Sequence, residues 1–316
     1  MKSIHKEKGL LPMKILVAGA GGVGGYIGGR LAEQGKDVTF LVRQQRAAKL
    51  KKTGLVIKSE KGNISFQPSL IQAGENGSFD VVIIASKAYS LQHVIEDVKP
   101  FIHAESVIIP FLNGYQHYEQ LFAAFAKSRV LGGLCFIESA LNEEGEVIHT
   151  SASHRFVFGE WNGEQTERMK ELEKVFANVN AEVMISRNIE KDIWKKYLFI
   201  AAQAGITSLF QKPIGPILET DSGRNTAKTL IGEIGAILRA EGVPADPDLE
   251  EESYCTMTKM SYQMKSSMLR DMEKGQTTEG DHLHGFLLKK ARDLSVIAPV
   301  LETVYANVQI YEAETK

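Results

Sequence analysis

The segment MKILVAGAGGVGGY, residues 13–26, predicts how the first half of the chain folds. A short apolar run over residues 15–18 leads directly into Gly19, Gly21 and Gly24, and a helical pattern follows. Gly19 permits a tight turn, Gly21 lets the backbone approach a pyrophosphate, and Gly24 lets the helix lie close to the strand. Because a strand precedes the glycines and a helix N-terminus follows them, the segment predicts dinucleotide binding rather than a plain turn. The expected cofactor contacts are Gly19, Gly21, Gly22, Val23 and Gly24.

The residues after the second predicted strand, 37–42, indicate which dinucleotide binds. An NAD site usually has an acidic residue here that takes the ribose 2′-hydroxyl, and this sequence has none. Arg43 and Arg46 stand there instead, where a guanidinium can hold a 2′-phosphate in a bidentate manner. Solvated arginines at a helix start would give the same pattern, but the missing acid favours NADP(H), with Arg43 as the expected ligand of the phosphate.

The bulk composition excludes several classes of partner. The chain of 316 residues is long enough for two domains, and its 43% hydrophobic and 24% charged residues are typical of globular proteins. Its net charge of −2 gives no general attraction to nucleic acid or anionic membranes. No apolar run reaches the roughly 18 residues that a membrane span needs. We therefore expect a small-molecule partner, and neither nucleic-acid nor membrane binding.

Two cysteines and the first twelve residues bear on the cellular compartment. Cys135 and Cys255 lie far apart and form no C-x-x-C pair, which argues against a disulfide framework or a metal site. Residues 1–12 are basic but lack the apolar core and cleavage site of a signal peptide. We interpret them as a disordered extension or an upstream start before Met13, and we expect a cytoplasmic protein.

The rest of the first half alternates between predicted strands and helices. Residues 54–59 and 63–67 are expected to form a hairpin outside the main sheet, and residues 147–149 and 155–158 a pair of antiparallel strands around a turn. Further strands are predicted at residues 79–85, 106–112, 129–136 and 182–185. From residue 188 onward the pattern is almost entirely helical. We therefore predict a doubly wound α/β Rossmann-type domain over residues 13–187 and an all-helical domain over residues 188–316.

Polar residues follow two of the predicted strands at the edge where a doubly wound sheet binds its ligands. Lys87 comes shortly after the strand at 79–85, and Asn113-Gly114 comes directly after the strand at 106–112. Each has a plainer interpretation, since loop lysines are common and Asn-Gly is a strong turn dipeptide. Their shared position with the glycine turn makes both candidates for contact with the cofactor or the substrate.

The first helix of the second half carries a candidate catalytic lysine. Lys196 shares a helix face with Ile200, Gln203 and Thr207 in an otherwise apolar sequence. Such a lysine usually extends to solvent. If it instead lies in a cleft, burial lowers its pKa and makes it a competent general acid.

A second informative stretch covers residues 264–292. Ser266, Ser267 and Asp271 lie within little more than one helical turn, and Thr278-Glu279 precedes a predicted amphipathic helix at residues 283–294. A threonine followed by an acid also fits ordinary helix capping. The sequence pattern leaves both interpretations open.

Taken in order, these motifs resemble the ketopantoate reductase (2-dehydropantoate 2-reductase) family over residues 13–308. The matching motifs are Gly19 to Gly24, Lys87, Asn113-Gly114, Trp194-Lys195-Lys196, Ser266-Ser267-Met268 with Asp271, Thr278-Glu279-x-Asp281, and Gly285-Phe286. The resemblance implies NADPH-dependent reduction of a 2-oxo acid to a 2-hydroxy acid in an interdomain cleft. Its expected form is the conversion of ketopantoate to pantoate in pantothenate biosynthesis. A homodimer is compatible with the resemblance.

The resemblance also implies roles for individual residues. Lys196 is expected to protonate the developing alkoxide, and Glu279 to orient the substrate hydroxyl and lie against the cofactor. Lys87 and Asn113 are expected near both the nicotinamide and the substrate. Ser267 is expected to hydrogen-bond the substrate, and Gln203 is a further candidate substrate contact.

The sequence departs from the family where substrate is held. Asparagines usually follow the lysine one and two helical turns along, and here Ile200 and Ala204 take those places. Gln276 stands for an arginine and His284 for an asparagine. The alternatives are therefore a reductase of a more apolar 2-oxo acid, a related 2-hydroxy acid or opine-type dehydrogenase, and a noncatalytic NADP(H)-binding sensor.

Overall fold

The computed structural model describes residues 13–315, so the expectation for residues 1–12 lies outside it. The strands are β1 (Lys14–Ala18), β2 (Asp37–Leu41), β3 (Leu55–Ser59), β4 (Ile64–Phe66), β5 (Ser69–Ile71), β6 (Phe79–Ile84), β7 (Ile102–Pro110), β8 (Gly132–Leu141), β9 (Val147–Gly159) and β10 (Glu182–Ile185). The helices are α1 (Gly22–Glu33), α2 (Gln44–Thr53), α3 (Leu91–Val98), α4 (Gln116–Ala124), α5 (Glu167–Phe176), α6 (Ile189–Phe210), α7 (Ile214–Glu219), α8 (Asp221–Glu241), α9 (Leu249–Thr258), α10 (Ser267–Glu273), α11 (Phe286–Asp293) and α12 (Pro299–Thr315).

The first sheet is parallel throughout, in the order β5-β2-β1-β6-β7. Its central strands β1 and β6 are buried on both faces, as their continuous apolar runs predict. This is the doubly wound sheet expected from the sequence, and with the helical second half it confirms the predicted fold class. Strand β5 was not predicted, because its three residues, Ser69–Ile71, are too few to show a pattern.

A second sheet in the first half has the order β10-β9-β3-β4, with β8 paired to β9. The predicted hairpin at residues 54–67 is confirmed as the antiparallel pair of β3 and β4. The prediction of two short strands within residues 147–158 is wrong, because β9 is one strand of thirteen residues. Its polar middle resembled a turn but is a bulge, in which Ser151 Oγ accepts a hydrogen bond from the backbone N–H of Glu138.

Helix α1 lies between the two sheets, and its glycines make this possible. A side chain at Gly28 would meet the ring of Phe40 on the first sheet at 2.6 Å. One at Gly25 would meet Val147 of the second sheet at 2.8 Å, and one at Gly29 would meet Ile57 there at 2.5 Å. The helix therefore holds both sheets in contact with its backbone.

The second half packs around α6, which is buried along most of its length between the helices α8, α9, α10 and α12. A π-helical turn, Asp281–Gly285, precedes α11 where the sequence predicted one continuous helix. The boundary that we propose at residue 187 falls between β10 and α6. Among residues 13–315, no helix combines the length and the apolar character needed to cross a bilayer.

Candidate active site

The glycine turn after β1 has the shape that a dinucleotide needs. Gly19 has φ of +108°, a backbone conformation that favours glycine. Gly21 precedes the first residue of α1, and a Cβ placed on it would have no atom within 4 Å. The helix start is therefore open for phosphate to approach its N–H groups. A Cβ on Gly22 would collide with the carbonyl oxygen of Ser139 in β8, so one face of that residue is covered by the second sheet.

The two arginines after β2 have different surroundings. The Arg46 guanidinium donates hydrogen bonds to the carbonyl oxygens of Ala20, at 3.0 and 3.2 Å, and Gly145, at 2.8 Å. Arg46 therefore braces the glycine turn. Arg43 is exposed at the N-terminus of α2 and makes no side-chain hydrogen bond or ion pair among the described residues. Of the two, Arg43 is the one whose guanidinium is available to a ligand.

Lys87 and Glu279 connect the two halves of the chain. The Lys87 Nζ lies 2.7 Å from Asp271 Oδ2 and 3.5 Å from Glu279 Oε2. Glu279 Oε1 also accepts a hydrogen bond of 2.8 Å from the backbone N–H of Ala88. Burial opposes the charge on Lys87, but the carboxylates of Glu279 and Asp271 together raise its pKa. Glu279 thus contacts the first half through its carboxylate rather than capping its own helix.

Lys196 is buried, with 8% of its surface exposed. Its Nζ donates a hydrogen bond of 2.9 Å to Asn113 Oδ1, which follows β7 in the first half. The same Nζ lies 5.5 Å from the centroid of the Phe136 ring. Burial lowers the pKa of Lys196, while the nearby groups of Cys135 and Glu279 act in the opposite direction. This ammonium lies in a largely apolar setting between the two halves, where it can give up a proton more readily than a solvated lysine.

His282, in the π-helical turn, holds the loop that carries Asn113. Its Nε2 lies 2.7 Å from the backbone carbonyl oxygen of Asn113. A carbonyl oxygen only accepts, so we assign the proton to Nε2. Gly114 has φ of +81°, and a Cβ there would lie 3.0 Å from His282 Nε2. His117 Nδ1 is 3.4 Å from the same nitrogen, and burial lowers the pKa of both histidines.

The two serines before α10 differ in environment. Ser266 is buried, accepts a hydrogen bond of 3.1 Å from the N–H of Leu269, and lies 2.7 Å from the Thr207 hydroxyl. Ser267 is exposed and makes no side-chain hydrogen bond to another described residue. Gln203 is buried on α6, one turn before Thr207. Ser266 therefore has a structural role, and Ser267 is free to meet a ligand.

A cavity of about 950 Å³ lies beside Lys196, between α9 and the second sheet. We call it the α9 cavity. Lys196 and Phe136 form part of its wall, together with residues of β8, β9, β10, α6 and α9. Asn113 and Glu279 are not part of the wall.

The sequence predicted that Lys87, Asn113, Lys196 and Glu279 share one site. In the structure they form two pairs that each join the two halves of the chain, Lys87 with Glu279 and Lys196 with Asn113. The sequence prediction missed Phe136 and His282. Phe136 lies close to Lys196 because β8 belongs to the second sheet, where it pairs with β9. No local sequence pattern indicated this pairing. His282 had a weak signal, since it directly precedes the amphipathic helix predicted at residues 283–294 and lies four positions before Phe286.

Comparison with known proteins identifies matches that cover both halves of the chain. A family model described as ketopantoate reductase PanE/ApbA matches residues 15–163, and the model of the same family's C-terminal part matches residues 188–312. The uncharacterized oxidoreductase YkpB of Bacillus subtilis (strain 168) is 79% identical over 302 residues, which are 96% of this chain and 100% of YkpB. A 2-dehydropantoate 2-reductase of Pyrococcus horikoshii is 25% identical over 303 residues, 95% of this chain and 98% of its own.

A solved structure shares the whole architecture. The ternary structure of D-mandelate dehydrogenase with NADH and anilino(oxo)acetate superposes with a TM-score of 0.87 at 19% identity, covering 96% of this chain and 99% of that one. At this level of identity the likeness shows the fold alone. The two family models together span most of the chain and match both halves in order. The chain therefore belongs to the ketopantoate reductase family and is an oxidoreductase of that family.

Proposed function

We propose that this protein uses NADPH to reduce a 2-oxo acid to a 2-hydroxy acid, with ketopantoate as the expected substrate and Lys196 as the proton donor. The observation that carries the proposal is the position of the Lys196 ammonium, which is buried between the two halves and hydrogen-bonded to Asn113. A reaction that makes a hydroxyl from a carbonyl needs such a donor beside the oxygen.

The residues present fit a bound NADPH. The open backbone at Gly21 and the start of α1 would hold the pyrophosphate, and Arg43 would hold the 2′-phosphate. Lys87, Asn113 and Glu279 would border the nicotinamide end. When bound, NADPH supplies the hydride that reduces the carbonyl carbon.

The proton chemistry then belongs to the chain. Negative charge develops on the carbonyl oxygen during reduction, and a fixed ammonium stabilises that charge without reorganising solvent. Lys196 donates the proton from Nζ, and Asn113 Oδ1 keeps that nitrogen in place. Glu279 is bound to the N–H of Ala88, so its carboxylate is fixed where it can orient the substrate hydroxyl. We also propose Ser267 and Gln203 as substrate contacts.

A second candidate substrate class has support of its own. The Pyrococcus horikoshii relative is named a 2-dehydropantoate 2-reductase, which favours ketopantoate. Ile200 and Ala204 remove two amides that family members usually place near the substrate. The D-mandelate dehydrogenase that shares the fold was solved with NADH and anilino(oxo)acetate. A more apolar 2-oxo acid is therefore the alternative within the same reaction.

The deciding experiment is an assay of NADPH oxidation with ketopantoate and a panel of other 2-oxo acids. We expect Lys196→Ala to lower kcat/KM by about 10²–10⁴-fold, the usual contribution of general acid catalysis. The Kd for NADPH should stay nearly unchanged. Lys191→Ala is the matched control, because Lys191 lies on the same helix and pairs with Asp246 away from the site.

The opposite result is equally clear. A wild-type protein that binds NADPH but oxidises it with no member of the panel would refute the proposed reaction and favour a noncatalytic NADP(H)-binding protein. Equal activity of Lys196→Ala and wild type would remove Lys196 from the role of proton donor.

A further inference from the structure

We infer that Glu312, near the end of α12, is a positioning residue for the candidate site. It fixes the segment that carries Glu279 and so holds the Glu279 carboxylate against the first half of the chain. The inference rests on the proposed function and deepens it, because it names a residue that acts on the reaction through Glu279. It is carried by the hydrogen bonds of Glu312 and by the contacts of one face of α12.

Glu279 lies on a segment that has little regular structure of its own. Residues 274–279 connect α10 to the π-helical turn, and none of them belongs to a helix or a strand. The Glu279 carboxylate nevertheless has a fixed place, since its Oε1 accepts the hydrogen bond of 2.8 Å from the backbone N–H of Ala88 in the other half. A segment without a helical or sheet ladder keeps such a place only if other parts of the molecule hold its backbone.

Glu312 binds the residue directly before Glu279. Its Oε1 accepts a hydrogen bond of 2.6 Å from the backbone N–H of Thr278 and one of 2.8 Å from the Thr278 hydroxyl. Thr278 is buried, and its Oγ1 in turn accepts a hydrogen bond of 3.2 Å from the N–H of Gly280. Hydrogen bonds to a carboxylate are stronger than those to a neutral acceptor. Glu312 therefore fixes both the backbone and the side chain of the residue next to Glu279.

The same face of α12 holds the neighbouring residues of the segment. The Tyr311 hydroxyl donates a hydrogen bond of 2.8 Å to the backbone carbonyl oxygen of Gln276. Val308 covers Gly280 so closely that a Cβ on this glycine would lie 2.1 Å from the valine side chain. Val308, Tyr311 and Glu312 lie three and four positions apart, which places them on one face of the helix. This face is in contact with the segment on both sides of Thr278 and Glu279.

Helix α12 is itself anchored to the core of the second half. The carboxylate of Glu233, buried on α8, accepts hydrogen bonds of 3.1 and 2.8 Å from the backbone N–H groups of Val300 and Leu301. These N–H groups at the start of a helix have no partner within the helix. Further along, the Tyr305 hydroxyl donates a hydrogen bond of 2.8 Å to Asp281 Oδ1 in the π-helical turn. The helix is thus a fixed base for the segment that carries Glu279.

Loss of the Glu312 carboxylate would remove the acceptor of two Thr278 donors. Both donors would then have to find water, so the segment would move toward solvent and the Glu279 carboxylate would leave the N–H of Ala88. A displacement of about 1 Å at a catalytic group, caused from a distance, is enough to lower a rate by about a hundred-fold.

Steady-state kinetics with NADPH and the best 2-oxo acid of the panel test the inference. We expect Glu312→Ala to lower kcat by about ten- to a hundred-fold. Glu312→Gln should recover most of this loss, because its amide oxygen can accept the same two hydrogen bonds. Glu314→Ala is the matched control, since Glu314 is exposed on the same helix and makes no side-chain hydrogen bond to another described residue.

A double variant shows whether Glu312 acts through Glu279. In a Glu279→Ala background, Glu312→Ala should change kcat by less than about two-fold, because residues of one network do not contribute independently. Losses in kcat that multiply in the double variant overturn the inference, as does a wild-type kcat in Glu312→Ala.

A second measurement is independent of turnover. The backbone N–H of Ala88 donates to Glu279, so its hydrogen exchange in the full-length protein, followed by NMR, reports whether that carboxylate stays in place. We expect Glu312→Ala to speed this exchange by about ten-fold or more, and Glu312→Gln to keep it near the wild-type rate. The N–H of Ile83, buried in β6, is the internal reference for opening of the whole first half.

The exchange rates separate the two proposals. An Ala88 exchange rate that Glu312→Ala leaves unchanged, or that rises only together with that of Ile83, overturns the inference. If no 2-oxo acid is reduced, the proposed function fails, while the exchange of Ala88 still decides whether Glu312 positions Glu279.

Discussion

At the scale of single residues, the candidate site depends on charges held by partners from the other half of the chain. Lys196 is bound to Asn113, and Lys87 is bound to Asp271 and Glu279. The two lysines respond in opposite ways to their surroundings. Burial lowers the pKa of Lys196, whereas two carboxylates raise that of Lys87. This difference suits Lys196 to proton donation and Lys87 to a permanent positive charge.

Arg43 should determine which cofactor the protein prefers. Arg43→Glu replaces an exposed guanidinium with a carboxylate at the expected 2′-phosphate position. Because a charge-assisted hydrogen bond contributes about 1.5–3 kcal/mol, we expect the KM for NADPH to rise by roughly ten- to a hundred-fold, and the KM for NADH to change little. Initial-rate kinetics with both cofactors measure this.

The neighbouring Gln45→Glu is the control for added negative charge on α2, and it should affect both cofactors slightly. Equal increases in the KM for NADPH and NADH in Arg43→Glu would show that Arg43 does not contact the 2′-phosphate.

Two residues of the candidate site could be predicted from sequence for a simple physical reason. Lys87 and Asn113 follow strands whose carboxyl ends meet at one edge of a parallel sheet. The sequence pattern alone left Lys196 and Glu279 open, and only the family resemblance predicted them in the site. Phe136 was not predictable in this way, because its position depends on which sheet β8 joins. The local alternation of apolar and polar residues predicts a strand, but it does not indicate which sheet that strand joins.

At the scale of elements, the π-helical turn Asp281–Gly285 is the feature that shapes the site. It lets His282 reach the backbone carbonyl oxygen of Asn113 at 2.7 Å, and it comes directly after Glu279 and Gly280. π-helical turns often occur at functional sites. The sequence predicted a regular helix from residue 283, since nothing in the apolar pattern marks where a helix widens.

His282→Leu should therefore disturb the Asn113 loop. The substitution leaves the half-buried Asn113 carbonyl oxygen without this donor, at a cost of up to about 1–3 kcal/mol in the free energy of unfolding. We expect kcat to fall as well, because Asn113 positions the Lys196 ammonium. Denaturant unfolding and steady-state kinetics measure the two effects.

His282→Gln is the matched variant, since its amide can donate to the same carbonyl oxygen. It should recover most of the lost kcat. Equal losses in kcat for His282→Leu and His282→Gln would mean that the imidazole acts by its shape and not through this hydrogen bond.

At the scale of the whole molecule, the two halves are joined by the contacts of the candidate site and by the start of α6, whose Ile189 and Ile193 pack into an apolar core of the first half. Besides the contacts of Lys87, Lys196 and His282, Tyr115 of the first half stacks on Trp194 of α6 with ring centroids 4.0 Å apart. The stability of the joined molecule and the geometry of the site are therefore coupled. Conditions that charge buried groups at this junction should lower the stability of the joined molecule and disturb the geometry of the site.

The pH dependence of stability follows from the buried histidines, and His284 gives the clearest case. Burial lowers its pKa from 6.5 to about 4, although its contact with the Ala201 carbonyl oxygen opposes this. Between these pH values the unfolded chain binds a proton that the folded chain does not. The free energy of unfolding should therefore be highest above pH 6.5 and fall as the pH drops toward 4.

His284→Gln should make this pH dependence shallower by up to about 1.4 kcal/mol per pH unit, the free energy of one proton. Denaturant unfolding at a series of pH values between 6.5 and 4 measures the slope. His93→Gln, at an exposed position on α3, is the control. A slope that His284→Gln does not change would mean that His284 is already protonated in the folded protein.

The glycines in the middle of helix α1 affect the candidate site, although none of them belongs to it. The helix lies between the two sheets, and the absence of side chains at Gly25, Gly28 and Gly29 lets the sheets approach its backbone closely. The second sheet pairs β8 with β9, and β8 carries the Phe136 ring that faces the Lys196 ammonium. A methyl group at Gly25 would lie 2.8 Å from the Val147 side chain and would push β9 away from the helix. Because β8 is paired with β9, the Phe136 ring would move as well. The thickness of helix α1 thus affects how closely the Lys196 ammonium is enclosed.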